Sequence, residues 1–297
     1  MSSSHSTGSG DAPSSSSAAP FAPSLRRVAV VAREEYRQAL ESRWLFGFSA
    51  LLLALILGLS YFGLAQSREV GYQGFARVTL SLMNLVLVIV PLTGLMLGVS
   101  SITSGTGTLP LLLAQPVARG EVFLGKFLGL VIAITIAQAM GFGAGGAVIA
   151  LNAGADQARG FVTLTAISFA LGWLTVAAAM LLAVLWPEKL KATAAALGLW
   201  LLMVVAYDLV VLGATAILRG VPLQSVLFPA LLVNPVDLAR VLTTLATGSG
   251  ALFGPTSAVL VRFFGTTGGV ALGIAVLFVE MVVPLALGVW VFRRRDW

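Results

Sequence analysis

Six stretches of this chain are apolar for about 20 residues or more, the length at which a helix rising about 1.5 Å per residue crosses a hydrocarbon core of about 30 Å. They run over 45–65, 78–99, 124–151, 161–186, 192–218 and 269–292. Such a chain is not built for water. Of its residues 58% are hydrophobic and 10% charged, with a mean hydropathy of +0.97, whereas about a quarter of a soluble domain is charged. In hydrocarbon every backbone N–H and C=O must find its partner within the chain, so apolar stretches of this length specify helices. The expected fold is all-α: a polytopic membrane protein with six transmembrane helices. The fourth and fifth are separated only by 187–191, which predicts a tight helical hairpin.

The flanks divide into three parts. Residues 1–23 are mostly Ser, Ala, Pro and Gly, with Asp11 the single acid and no base, and are expected to be a disordered tail. They lack the positive region and adjoining apolar run of a secretory signal, so the N-terminus is expected to be kept. Over 24–44, Ser24 can cap a helix on which Leu25, Val28, Ala32, Tyr36, Ala39 and Leu40 recur at helical spacing, with Arg26, Arg33, Arg37 and Glu41 largely opposite. This predicts an amphipathic helix lying in the membrane interface; the first helix of a small soluble domain is the weaker alternative, because Trp44 and a span follow at once. The rest, 45–297, is the six-span domain.

The net charge of +6 and pI near 10.3 come from 18 basic residues scattered at the ends of the apolar stretches, a topology signal and not a nucleic-acid footprint. Twelve (Arg26, Arg27, Arg33, Arg37, Arg43, Arg119, Lys126, Lys189, Lys191, Arg293, Arg294 and Arg295) fall on one side of the spans and six on the other. The richer side is expected to be cytoplasmic, with both termini there. The long loop 219–268 then lies outside. Within it Asn234 can cap a helix over 234–245, with Pro235 at its first position and Asp237 at its third, and Pro255 can open a second helix to 264. A lid, a docking face and a purely structural cap are all consistent with these two helices.

Little in the chain looks catalytic. It has no cysteine and one histidine, His5, which excludes disulfides, thiol nucleophiles and Cys/His metal sites. The run Gly120 to Lys126 matches the start of a phosphate-binding loop, but Phe127 stands where the magnesium-binding hydroxyl belongs and an apolar span begins. Gly141, Gly143 and Gly146 spell a dinucleotide-binding string inside a span; Gly141 and Gly145, four apart, fit a helix-packing face better. Asp208 and Glu280 sit within apolar spans, where an ionised carboxylate is expensive, so each is expected to face protein or water. A substrate or proton site and a neutral, hydrogen-bonded carboxyl are both consistent with them.

The segment 100–123 between the second and third spans carries the most information. Thr108 can cap a short helix with Pro110 in its first turn, Leu109, Leu111, Leu112 and Leu113 give it an apolar surface, and Gln115-Pro116 stops it. An exposed apolar helix beside a membrane calls for a partner. The run from Gly107-Thr108-Leu109 through Leu111-Leu112-Leu113, Pro116-Val117 and Arg119 to Gly125-Lys126 resembles the signature of type-2 ABC transporter permeases. The stretches Asn234-Pro235-Val236-Asp237-Leu238-Ala239-Arg240 and Gly254-Pro255-Thr256 are similar to the outer loop of the subgroup associated with maturation of nitrous oxide reductase and other multicopper enzymes.

The resemblance implies a bacterial inner-membrane permease that works as a homodimer with a separate ATPase subunit; ATP and magnesium would be bound by that partner, and this chain would need no cofactor. It implies that Gly107, Thr108, Leu109, Leu111, Leu112, Leu113, Gln115, Pro116 and Arg119 make the ATPase-coupling contacts. It further suggests that Asn234, Pro235, Asp237, Arg240 and Pro255 engage a periplasmic maturation protein. Family members usually carry acidic residues before the Gly-Thr-Leu, where this chain has Ser101-Ile102-Thr103-Ser104-Gly105-Thr106, so a salt-bridged contact there is not implied. Copper conduction through the spans is disfavoured, because copper(I) wants thiolate, thioether or imidazole and the spans offer only dispersed methionines. An exporter permease for a hydrophobic drug, peptide or lipid is the alternative within transport, and a membrane scaffold the alternative outside it.

Overall fold

The computed structural model describes residues 25–70, 72–103, 118–152, 155–210, 213, 229–246 and 267–295. The expected tail and the expected second outer helix over 255–264 lie outside them. The described chain runs through α1 (Leu25–Leu40), α2 (Arg43–Val70), α3 (Tyr72–Thr103), α4 (Arg119–Asn152), α5 (Ala155–Leu185) and α6 (Lys189–Leu201). The last passes into a π-helical turn, Leu202–Ala206, and α7 (Pro235–Ala246) and α8 (Thr267–Arg294) follow. No strand occurs among the described residues.

Among the described residues, five stretches are long and apolar enough to cross a membrane alone: 81–103, 119–147, 160–185, 189–210 and 268–294. A sixth is counted if α1 and the first part of α2, a pair bent by 67°, are taken as one span. The chain is an all-α polytopic membrane protein. Its helices outrun the apolar stretches, α3 beginning at Tyr72 and α4 at Arg119, because hydropathy marks the hydrocarbon core while a helix continues through polar residues beyond it. The hairpin turns at 186–188, with α6 starting at Lys189.

Glycine, more than bulk, sets the core. A Cβ on Gly94 of α3 would lie 2.1 Å from Thr175 Oγ1, and one on Gly98 would lie 2.6 Å from Ala179 Cβ, so α3 and α5 cross with almost no side chain between them. Gly141 and Gly145 of α4 receive Leu52 and Ile56 of α2, the packing face that their spacing predicts. A third pair, Gly125 and Gly129, lies on α4 beneath α1: a Cβ at either would meet Val31 or the Ala32 carbonyl within 2.6 Å. That trough decides the seat of α1. Its buried stripe is Val28, Val31, Ala32, Glu35 and Ala39, packed on α4, whereas Leu25 and Leu40 of the expected apolar face are 86% and 46% exposed. The periodicity gives an amphipathic helix correctly; the surface it covers is protein.

The helix expected over 234–245 is present as α7, and it packs closely on α3, α5 and α8, with Val236, Leu238 and Ala239 fully buried. Its polar residues permit this by bonding within the bundle. Thr243 and Thr244 donate to the Ala239 and Arg240 carbonyls at 2.8 and 2.7 Å, and Asp237 and Arg240 pair one turn apart.

Candidate functional site

Two polar assemblies lie at opposite ends of the bundle. The first surrounds the start of α4. Glu121, at the third helical position, accepts a hydrogen bond from the Ala118 N–H at 3.3 Å, the return half of a capping box. Its carboxylate also faces Arg27 of α1 at 3.7 Å. One turn further, Lys126 is 2% exposed and donates to Glu35 of α1 at 2.5 Å and to the Ser101 carbonyl of α3 at 3.1 Å. Arg119 donates to the Arg295 carbonyl just past α8, and Arg295 donates in turn to the Val184 carbonyl and, at 3.3 Å, to that of Leu185. Phe123 packs against Phe292, ring centres 5.4 Å apart, over Gly288.

The effect is to tie the last turn of α3 and the first two turns of α4 to α1, α5 and α8. Those two helix ends are the points where the chain leaves and re-enters around 104–117. Of the residues expected to make ATPase-coupling contacts, Arg119 is described, with its guanidinium engaged at the end of α8. Gly107, Thr108, Leu109, Leu111, Leu112, Leu113, Gln115 and Pro116 lie outside the described residues. Sequence reasoning met Glu35, Glu121 and Lys126 only as parts of motifs, and Lys126 also as a topology charge, without pairing them. The signal was present in Gly125-Lys126, whose glycine admits α1 and whose lysine then meets a carboxylate on it.

The second assembly joins the far end of α6 to α7. Asn234 caps α7, its Oδ1 accepting from the Val236 N–H at 3.1 Å. Its Nδ2 donates to the Met203 carbonyl in the π-turn at 2.7 Å and to Asp237 at 3.0 Å. Arg240 donates to Asp237 at 2.7 Å and reaches Asp208, just beyond the π-turn, at 3.4 Å. Tyr207 donates to the Ala230 carbonyl. Glu280 of α8 keeps one carboxylate oxygen buried with no hydrogen-bond partner among the described residues.

The structure thus brings Asn234, Asp237, Arg240 and Asp208 into one network. Asn234 and Asp237 are only 2% and 6% exposed, with their polar atoms turned into the bundle, while Arg240 and Asp208 reach its surface. Pro235 opens α7, and Pro255 lies outside the described residues. Burial pushes the Asp237 carboxyl up to about 6; the Arg240 guanidinium opposes that shift and the Asp208 carboxylate adds to it. Such a network can hold or release a proton and can break one ion pair while keeping another, the ingredients of a movable joint. Among the described residues no three His, Cys, Asp or Glu come together as a metal site. The notable miss of the sequence reading is the π-turn itself, which no residue in Leu202–Ala206 announces.

Comparison with known proteins gives a consistent answer. Residues 29–297 match the family described as ABC-2 family transporter protein. The chain is 33% identical over 240 residues to a protein of Stutzerimonas stutzeri named probable ABC transporter permease protein NosY, an alignment covering 78% of this chain and 87% of that one. To the protein of the same name from Pseudomonas aeruginosa it is 34% identical over 223 residues, 72% of this chain and 80% of the relative.

Proposed function

The chain belongs to the ABC-2 transporter family, as a membrane permease subunit, and on that premise we propose how it converts the work of a partner ATPase into movement at the far side of the membrane. The ATPase binds the segment 107–119 and supplies ATP and magnesium. Its closure pushes on the end of α3 and the start of α4. The observation that carries the reading is the anchoring of those helix ends by Lys126–Glu35, Lys126–Ser101 and Arg119–Arg295: a push between them moves α1, α3, α4 and α8 together instead of bending a loop. At the other end α6 yields at its π-turn, a weak point in helical hydrogen bonding, and Arg240 changes its hold on Asp208 and Asp237.

With the base-rich end in the cytoplasm, the loop 219–268 faces the periplasm and delivers this motion to an exported partner. Likeness to proteins named NosY, together with the outer-loop resemblance, supports maturation of a copper enzyme of the nitrous oxide reductase type. The permease acts as a homodimer; the largely exposed apolar face of α6 supports a second copy. The test is a pull-down of the tagged chain from mild-detergent membranes beside a Leu112→Asp variant, with mass spectrometry of what accompanies each. Leu112 is the better probe than Arg119, whose loss would also free the end of α8. An ATPase retained by the wild type and lost from the variant is the expected result. An ATPase absent from both, or equally present in both, removes the coupling assignment.

A further inference from the structure

An open groove of about 580 Å³ runs along α8 where its last turns pass the start of α4. Val282, Ala286, Trp290 and Arg294 follow one another four apart on α8, a single ridge, with Leu124 of α4 across from them and Arg293 at the same end as Arg294. The twelve steps from Val282 to Arg294 rise about 18 Å, close to the roughly 15 Å depth of one leaflet's hydrocarbon. One end is purely apolar and the other is cationic. Both arginines are exposed, and among the described residues neither has a carboxylate within ion-pair distance. Arg294 stacks on Trp290, 4.2 Å from the ring centre, and the Arg293 guanidinium lies over Gly120, where a Cβ would come within 2.8 Å of its Nε. Both heads are therefore held at the mouth of the groove.

We propose that this groove binds one phospholipid with an anionic headgroup, its acyl chain along Val282 and Ala286 and its phosphate on Arg293 and Arg294. Charge complementarity selects the occupant: an apolar trough of leaflet depth closed by two planar, bidentate donors matches a lipid tail and phosphate in register. A zwitterionic lipid fits the trough equally but carries a compensating cation at the guanidiniums. A second copy of the chain would bring Arg293 and Arg294 against their own like charges.

The full chain is reconstituted into vesicles of equimolar phosphatidylglycerol and phosphatidylcholine, extracted in mild detergent, and the lipids it retains are counted by native mass spectrometry. Wild type is expected to keep one phosphatidylglycerol per chain, enriched on the order of ten-fold over phosphatidylcholine. Arg293→Gln with Arg294→Gln is expected to abolish the enrichment at an unchanged melting temperature. Ala286→Phe, which fills the exposed trough and spares both guanidiniums, is expected to abolish it too. No enrichment in the wild type, or enrichment surviving the double arginine variant, overturns the proposal. So does enrichment surviving Ala286→Phe, since charge at the bilayer surface would then suffice. Because the chain has no cysteine, Ala286→Cys gives an unambiguous check: disulfide-linked dimers in membranes would assign the groove to a second copy and overturn the lipid.

Discussion

Lys126 and Glu35 are joined at 2.5 Å with side-chain exposures of 2% and 7%, so the pair is shielded from water on all sides. At that distance two unit charges attract by about 7 kcal/mol in an effective dielectric of about 20. Each ion lost several kcal/mol of hydration to get there, so the pair as a whole is close to neutral for stability. The arithmetic changes when one partner is removed. Among the described residues, Lys126→Met leaves the buried Glu35 carboxylate without its ion-pair partner and also frees the Ser101 carbonyl, and Glu35→Leu leaves the buried ammonium with that carbonyl alone. Each single variant should lose about 3–5 kcal/mol. The double variant, apolar on both sides, should lose no more than about 1–2 kcal/mol. The assay is unfolding by increasing SDS in mixed micelles, followed through the six tryptophans, for all four chains of a double-mutant cycle. If the two losses simply add in the double variant, or if either single change costs under about 1 kcal/mol, the pair does not join α1 to α4 and the rigid-frame argument fails.

Other consequences follow from the same geometry. Gly98→Ala should destabilise by about 1–3 kcal/mol, because its methyl would strike Ala179 and the Val176 carbonyl, whereas Gly143→Ala, with nothing within 4 Å, should gain about 0.5–1 kcal/mol; both are read in the same unfolding assay. Asn234→Ala removes a helix cap and the donor to the Met203 carbonyl, and should cost about 2–3 kcal/mol together with a loss of ATP-driven activity in the assembled transporter. Asp237, raised from 3.8 to about 6, binds its proton more tightly folded than unfolded. Its contribution to stability is full below about 4 and is lost as pH rises through about 6, so the melting temperature should climb between pH 7 and pH 5. That part of the climb should vanish in Asp237→Asn; an identical profile for both chains would remove Asp237 as its source.

Much of the fold is legible because hydrocarbon leaves the backbone one choice. Apolar runs of span length gave the helices, and the short break near 187–191 gave the hairpin, whose turn is at 186–188. Spacing of Gly141 and Gly145 gave a packing face. What escaped has physical reasons. How closely α7 packs on its neighbours was hidden because a helix whose threonines bond their own carbonyls and whose Asp237 and Arg240 pair with each other presents less polarity than its composition suggests. The seat of α1 was hidden because amphipathicity reports a buried face and is silent on whether lipid or protein buries it. Lys126 was legible as a topology charge and as the end of a motif, but not as half of a buried pair, because only the fold shows Glu35 arriving opposite it. At the candidate site, Asn234, Asp237, Arg240 and Asp208 were each legible as polar residues near or within spans, but their convergence depends on a turn with no sequence mark.

That turn also sets the angular phase of α6. Each α-helical residue advances about 100° around the axis, and a π-helical turn holds extra chain before closing. Trp200, ahead of it, points its indole N–H at the Val88 carbonyl of α3, while Tyr207, beyond it, reaches Ala230 and Asp208 reaches Arg240. A regular α-helix through Leu202–Ala206 could keep one set of these neighbours but would swing the other away by about one residue's rotation. Deleting a single residue from this stretch is therefore a rotation more than a shortening, and one helix serves two differently oriented faces only while the wider turn remains.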